Sequence, residues 1–153
     1  MSVPSGDLSL LHDPIALELL KSRVPARLAY VWMDGTPRVV PIWFYWDGLS
    51  MVVCSPPKAP KLRALKRNPE VSVTIDSNEW PYRVLSLRGT ATVTMLDDLA
   101  PEYAAAAERY LGPAEGLAWA AQLRGKPMGR ISIEPEWANI LDFQTRFPSA
   151  LSA

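Results

Sequence analysis

The feature that most constrains this chain is the run Arg83–Leu96, where apolar and polar side chains alternate. Leu85, Leu87, Ala91, Val93 and Met95 fall on one side, and Ser86, Arg88, Thr90, Thr92 and Thr94 on the other. A period of two suits a strand with one buried face and defeats a helix, whose neighbours recur at three and four. Glu70–Asp76 repeats the pattern, with Val71, Val73 and Ile75 set against Ser72, Thr74 and Asp76. Upstream, residues 27–33, 38–46 and 49–54 read as strands separated by Asp34-Gly35 and Asp47-Gly48. Asp-Gly fits the tight turns of hairpins, so this stretch is predicted to be an antiparallel meander. A last strand from Met128 to Phe143, broken near Pro135, brings the count to six.

Helices are predicted between these strands. Asp13 caps a short helix over residues 15–20, with Pro14 in its first turn. Pro60–Arg67 is stopped by Asn68-Pro69, and residues 98–111 by Gly112-Pro113. A weaker helical stretch spans residues 115–123. The expected architecture is mainly β with inserted helices, a small six-stranded antiparallel barrel without exposed sheet edges. At 153 residues it forms one domain, with residues 1–12 expected to be flexible.

Composition narrows the function. Sixteen basic residues balance sixteen acidic ones, so nothing suggests non-specific attraction to nucleic acid or an anionic membrane surface. The chain shows no signal-peptide pattern and no apolar run of the ~18 residues that a membrane span needs. One cysteine, Cys54, excludes an intrachain disulfide and points to a reducing cytoplasm. With a single histidine, His12, it also leaves too few ligands for a zinc site of the usual kind. A Cys–His nucleophilic pair would require His12 to reach a core strand.

Two segments carry candidate chemistry. Residues 58–67 hold Lys58, Lys61, Arg63, Lys66 and Arg67 and no acidic residue. At ~100° per residue, Leu62, Ala64 and Leu65 define an apolar arc. Lys61 falls inside that arc, whereas Arg63, Lys66 and Arg67 fall on the polar side. An inward ammonium needs a partner to replace its lost hydration. A helix N-terminus attracts anions, and Ser55 stands just before it, so a phosphate cradle is one reading and a solvated helix face the other. The second segment, Val39 to Trp46, is apolar on both faces: Val40, Ile42, Phe44 and Trp46 against Val39, Pro41, Trp43 and Tyr45. Such a strand has core on one side and a helix, a partner subunit or a flat cofactor on the other. Pro41 donates no ladder hydrogen bond and marks an edge or bulge. Trp80 and Tyr82 in a predicted loop suggest a binding or dimer surface, or packing over the barrel end. Arg88 is the one charge on the polar face of its strand, for an anion or for solvent. Trp137, Phe143, Arg146 and Phe147 are candidates for an interface or a pocket rim.

In their order and spacing these segments resemble the pyridoxamine 5′-phosphate oxidase-like split barrels, especially flavin and deazaflavin oxidoreductases. The carriers are Val39-Val40-Pro41-Ile42-Trp43-Phe44 with Trp46-Asp47-Gly48, then Ser55 with residues 61–69 and Val71-Ser72-Val73, then Leu87-Arg88-Gly89-Thr90-Ala91. The resemblance implies an FMN-binding split barrel, homodimeric, with cofactor at the subunit interface. It implies a phosphate near Ser55, Lys58 and Lys61, and a ring along Val40, Pro41, Ile42 and Trp43. Trp80 and Arg88 join them as candidate cofactor contacts.

The implied cofactor is FMN or the deazaflavin coenzyme F-420, whose acidic tail the basic cluster favours. The implied activity is two-electron hydride transfer to or from a small organic substrate, with no dedicated protein acid or base. Non-catalytic flavin binding or sequestration is the alternative, and heme binding a third, for which His12 is poorly placed. Two departures stand out. The segment after Asp142 carries one arginine, Arg146, instead of an arginine-rich motif, which argues against vitamin B6 oxidation. Ala64 stands where relatives often have asparagine.

Overall fold

The computed structural model describes residues 6–146. Seven strands form one antiparallel sheet: β1 (Ala26–Val31), β2 (Pro37–Ile42), β3 (Tyr45–Trp46), β4 (Met51–Ser55), β5 (Glu70–Asp76), β6 (Arg83–Leu96) and β7 (Met128–Asp142). Four α-helices accompany them: α1 (Pro14–Lys21), α2 (Pro60–Arg67), α3 (Pro101–Leu111) and α4 (Pro113–Leu123). Strand order is β2-β1-β5-β6-β7-β4-β3.

That order corrects the expected meander and the count of six. The single strand anticipated over residues 38–46 is two strands, parted at Trp43-Phe44. The hairpin β1–β2 and the hairpin β3–β4 therefore lie at opposite ends of the sheet, and no ladder among the described residues joins β2 to β3. The sheet is open, not a closed barrel. Its ends are nevertheless near each other, because three Cα steps from Ile42 to Tyr45 span at most ~11 Å. Phe44, fully buried, fills the curl at this point.

Local signals account for the turns and caps. Asp13 accepts from the Ile15 N–H at 3.0 Å and starts α1 ahead of Pro14. The Asp34-Gly35 turn closes with Trp32 N–H on the Thr36 carbonyl. Asp47 Oδ1 accepts from the Leu49 and Ser50 N–H groups, holding the second turn. The long strand β6 buries Leu85, Leu87 and Ala91, but Met95, anticipated on the same face, is exposed where β6 outruns the core. The register of β6 on β7 shifts between Arg88 and Gly89, opposite Pro135. A Cβ on Gly89 would lie 2.1 Å from the Glu134 carbonyl oxygen, so the backbones meet there only because the residue is glycine. Leu8–His12 is a 3-10 helix, and its Leu10 and Leu11 enter the main core.

Two apolar clusters result. The larger lies inside the curl and includes Leu28, Phe44, Val53, Leu65, Val73, Leu87 and Ile133. The smaller lies on the other face of β4, where Val52 and Cys54 pack with Leu99, Ala100, Ala120 and Met128 beneath α3 and α4. β4 is thus buried on both faces.

Candidate functional site

The α3–α4 unit creates the site by standing off from the β4–β7 end of the sheet. One chamber of about 460 Å³ is lined by Cys54, Ser55, Pro56, Pro57, Tyr103, Trp119, Leu123 and Met128, with Lys126 and Pro127 at its side. A second, also about 460 Å³, is lined by Pro25, Pro41, Ile42 and Trp43. Both share Cys54, Tyr103 and Trp119, so they are two parts of one cleft. Such volumes suit a small molecule or a cofactor ring.

The cleft wall from β2 is held by α3. Trp43 stacks on Tyr110 and leans toward Tyr103, 6.1 Å between centroids. Tyr110 O–H donates to the Val24 carbonyl at 3.2 Å. Arg109 donates to the carbonyls of Ser22 and Phe44, fixing the link that follows Ile42. Across the cleft, Trp119 Nε1–H donates to the Tyr103 hydroxyl oxygen at 3.0 Å.

The anticipated site residues divide among several places. Pro41, Ile42, Trp43 and Ser55 line the cleft. Val40 turns instead to the main core. Lys58 lies in a neighbouring groove of about 520 Å³ with Trp32, Arg63, Lys66 and Met95, and Pro57 borders both this groove and the cleft. Trp80 stands apart with Tyr82 and Phe143 in an aromatic cluster, ring centroids 5.5 and 6.0 Å from it. Arg88 is exposed and lies over the Trp137 ring at 4.1 Å, a cation–π contact away from the cleft lining. Arg146 pairs with Asp13 at 2.8 Å, so the lone arginine of the C-terminal segment is engaged at the start of α1. Phe147 lies outside the described residues.

Helix α2 follows the predicted arc. Leu62, Ala64 and Leu65 are buried, Arg63, Lys66 and Arg67 exposed. Leu62 packs onto Gly129 of β7, where any larger residue would collide. Lys61, in the first turn, is half-buried, and desolvation holds its ammonium pKa below the ordinary value. No hydrogen bond or ion pair engages it among the described residues. The Ala59 cap offers no side chain to the first N–H groups of the helix.

Burial pushes the Cys54 thiol up to about 12, helped by the carboxylate of Glu102. A protonated thiol is a poor nucleophile. His12 is exposed on the 3-10 helix, and the charged groups near Cys54 are Glu102 and Arg130, so the cleft holds no Cys–His pair. Tyr103, Trp119 and Leu123 were not anticipated as site residues, and Cys54 was considered only as half of a Cys–His pair. The tryptophan and tyrosine on otherwise small-residue helices were the available signal. Their meeting depends on how α3 folds back against α4.

A family model for pyridoxamine 5′-phosphate oxidase matches residues 13–142. Among solved structures, an F-420 reductase is 27% identical, with 90% of this chain and 98% of that one covered and a TM-score of 0.61. A conserved protein from Mycobacterium tuberculosis is 21% identical, with 94% and 91% covered and a TM-score of 0.71. A Listeria innocua protein assigned as a pyridoxamine 5′-phosphate oxidase is 26% identical, with 86% and 98% covered and a TM-score of 0.61. No curated protein matches the chain. Because the family match runs from the Asp13 cap of α1 to the last residue of β7, the chain belongs to the pyridoxamine 5′-phosphate oxidase family.

Proposed function

We propose that the chain is a flavin- or deazaflavin-dependent oxidoreductase that moves two electrons as hydride to or from a small organic substrate, with F-420 favoured over FMN. The observation that carries this reading is continuity: Pro57 borders both the apolar, aromatic cleft and the groove holding Lys58, Arg63 and Lys66. An elongated molecule with a flat ring, a phosphate and an acidic tail matches that sequence of surroundings. Pro41, Ile42 and Trp43 flank the ring. Ser55 and Lys61 lie beside the phosphate, whose charge gives the Lys61 ammonium the partner it lacks. The F-420 reductase, similar over nearly its whole length, supports the deazaflavin form.

When bound, the cofactor supplies the hydride chemistry itself. The chain's residues orient it, and Trp119, Leu123 and Met128 keep water from its ring. The ionisable groups of the cleft are Cys54, Tyr103 and Lys126, and Cys54 stays protonated. The same scarcity of acid–base groups favours, as second reading, a flavin carrier without turnover. Heme fits poorly, since His12 is exposed outside the cleft.

We also propose a homodimer, cytoplasmic, with the cofactor at the interface. Val39 is 65% and Trp80 67% exposed, and a subunit interface would cover such side chains. No helix among the described residues is long and apolar enough to cross a membrane.

Calorimetric titration with F-420 and with FMN tests the reading. Saturable binding of either supports it, and F-420 affinity should fall more steeply with salt because more charge pairs are screened. Arg63→Glu with Lys66→Glu should weaken F-420 selectively. Absence of binding by both cofactors overturns the proposal. Binding without turnover of the reduced cofactor leaves the carrier.

A further inference from the structure

Tyr103 lines both chambers of the cleft. Its hydroxyl oxygen accepts the Trp119 Nε1–H at 3.0 Å. A tyrosine hydroxyl has one hydrogen to give. Here that hydrogen has no acceptor among the described residues. Accepting from Trp119 polarises the O–H bond and strengthens it as a donor. The contact also fixes the oxygen on the α4 side, which turns the hydrogen away from Trp119. The other cleft residues are mostly apolar, Trp43, Ile42, Leu123 and Met128 among them, with Cys54, Ser55 and Lys126 the exceptions. A flat ligand that covers this donor is favoured when it carries an acceptor on its rim, because a hydroxyl cut off from water and left unsatisfied costs free energy.

We propose that Tyr103 donates a hydrogen bond to a carbonyl oxygen of the flat ring bound in the cleft, and that Trp119 is the positioning residue that aims it. The inference rests on the flavin or deazaflavin reading and adds to it a residue from the α3–α4 unit that recognises the ring independently of the phosphate.

Riboflavin separates the two, since it carries the ring without the phosphate. In calorimetric titration, Tyr103→Phe should weaken riboflavin and FMN by the same factor, roughly two- to tenfold for one net hydrogen bond. Lys61→Met should weaken FMN alone. Trp119→Phe should cost less than Tyr103→Phe, and should add nothing in the Tyr103→Phe background. A loss due only to packing would persist there. The absorption spectrum of bound riboflavin should shift toward that of the free molecule in Tyr103→Phe, while the variant's melting temperature stays near that of the parent. Wild-type binding with an unaltered Tyr103→Phe affinity overturns the role of Tyr103 and leaves the cofactor reading standing. A full Trp119→Phe loss in the Tyr103→Phe background overturns the role of Trp119. Failure of the wild type to bind riboflavin, FMN and F-420 overturns this inference together with the cofactor reading.

Discussion

Trp43 lies flat on Tyr110, ring centroids 5.0 Å apart and planes 6° from parallel. The pair joins the link after the edge strand β2 to helix α3, beside the cleft. Tyr110→Ala removes the stack, the hydrogen bond to Val24 and much buried ring surface. The expected cost is about 2–4 kcal/mol, and Tyr110→Phe should cost only about 1 kcal/mol by losing the hydrogen bond alone. Urea unfolding of both variants measures the two values. Equal costs would mean that the ring contributes little.

Lys61 is expected to oppose folding mildly and to aid binding strongly. Its pKa is lowered by burial, so the unfolded chain holds this proton more tightly than the folded one. Stability from this group therefore rises as pH climbs from the folded pKa toward the ordinary value near 10.5. Without cofactor, Lys61→Met should melt no lower than the parent at neutral pH, and any advantage should shrink above pH ~10. FMN affinity should fall by roughly ten- to a hundredfold, the worth of a charge-assisted bond. A lower melting temperature with unchanged affinity would place Lys61 among ordinary surface residues.

Glu102 and Arg130 tie α3 to β7, with Nη2 and Nε at 2.6 and 3.0 Å from one carboxylate oxygen. The hydrogen bond from Arg130 is the main cause of the lowered Glu102 pKa. A depressed carboxylate stabilises the fold above its unfolded value, near 4.5, and loses that contribution as pH falls through the folded value. Glu102→Gln should cost about 1–3 kcal/mol at pH 7, between exposed and fully buried pairs. The difference from the parent should disappear in acid, below the folded Glu102 pKa. Thermal melts from pH 3 to 8 follow it. A deficit that stays constant across this range would assign the loss to packing.

Cys54 should resist alkylation. With the thiol pushed up to about 12, its thiolate fraction at pH 8 is about a thousandfold below that of an ordinary thiol. Iodoacetamide labelling of native protein should be far slower than labelling in urea, as intact mass reports. Rapid native labelling would point to a thiolate that the surroundings stabilise.

Much of the strand layout was legible because alternation is local. Val71, Val73 and Ile75, then Leu85 and Leu87, announce which faces turn inward, and Asp13, Asp34 and Asp47 announce their cap and turns. Which hairpin lies beside which strand is a long-range choice that no local period encodes, and so β4 beside β7 was not anticipated. The both-faced apolarity of Val39 to Trp46 was visible, but its cause was divided: Val40 and Ile42 meet the core, while Val39 and Pro41 stay outside. The inward placement of Lys61 followed from helical spacing alone. Tyr103 and Trp119 were missed because their pairing exists only after α3 and α4 dock.

The span between Ile42 and Tyr45 has a mechanical consequence. Its two intervening residues, Trp43 and Phe44, bridge strands at opposite ends of the sheet, and Arg109 clasps the Phe44 carbonyl. A gap held by hydrogen bonds can breathe as edges fray, whereas one held by covalent bonds has a ceiling set by bond lengths and angles. Trp43 is therefore tethered in its distance from Tyr45, whose strand β3 pairs with β4, the strand that carries Cys54. The separation of the β2 wall from the β3–β4 hairpin is thus capped by the length of a two-residue tether.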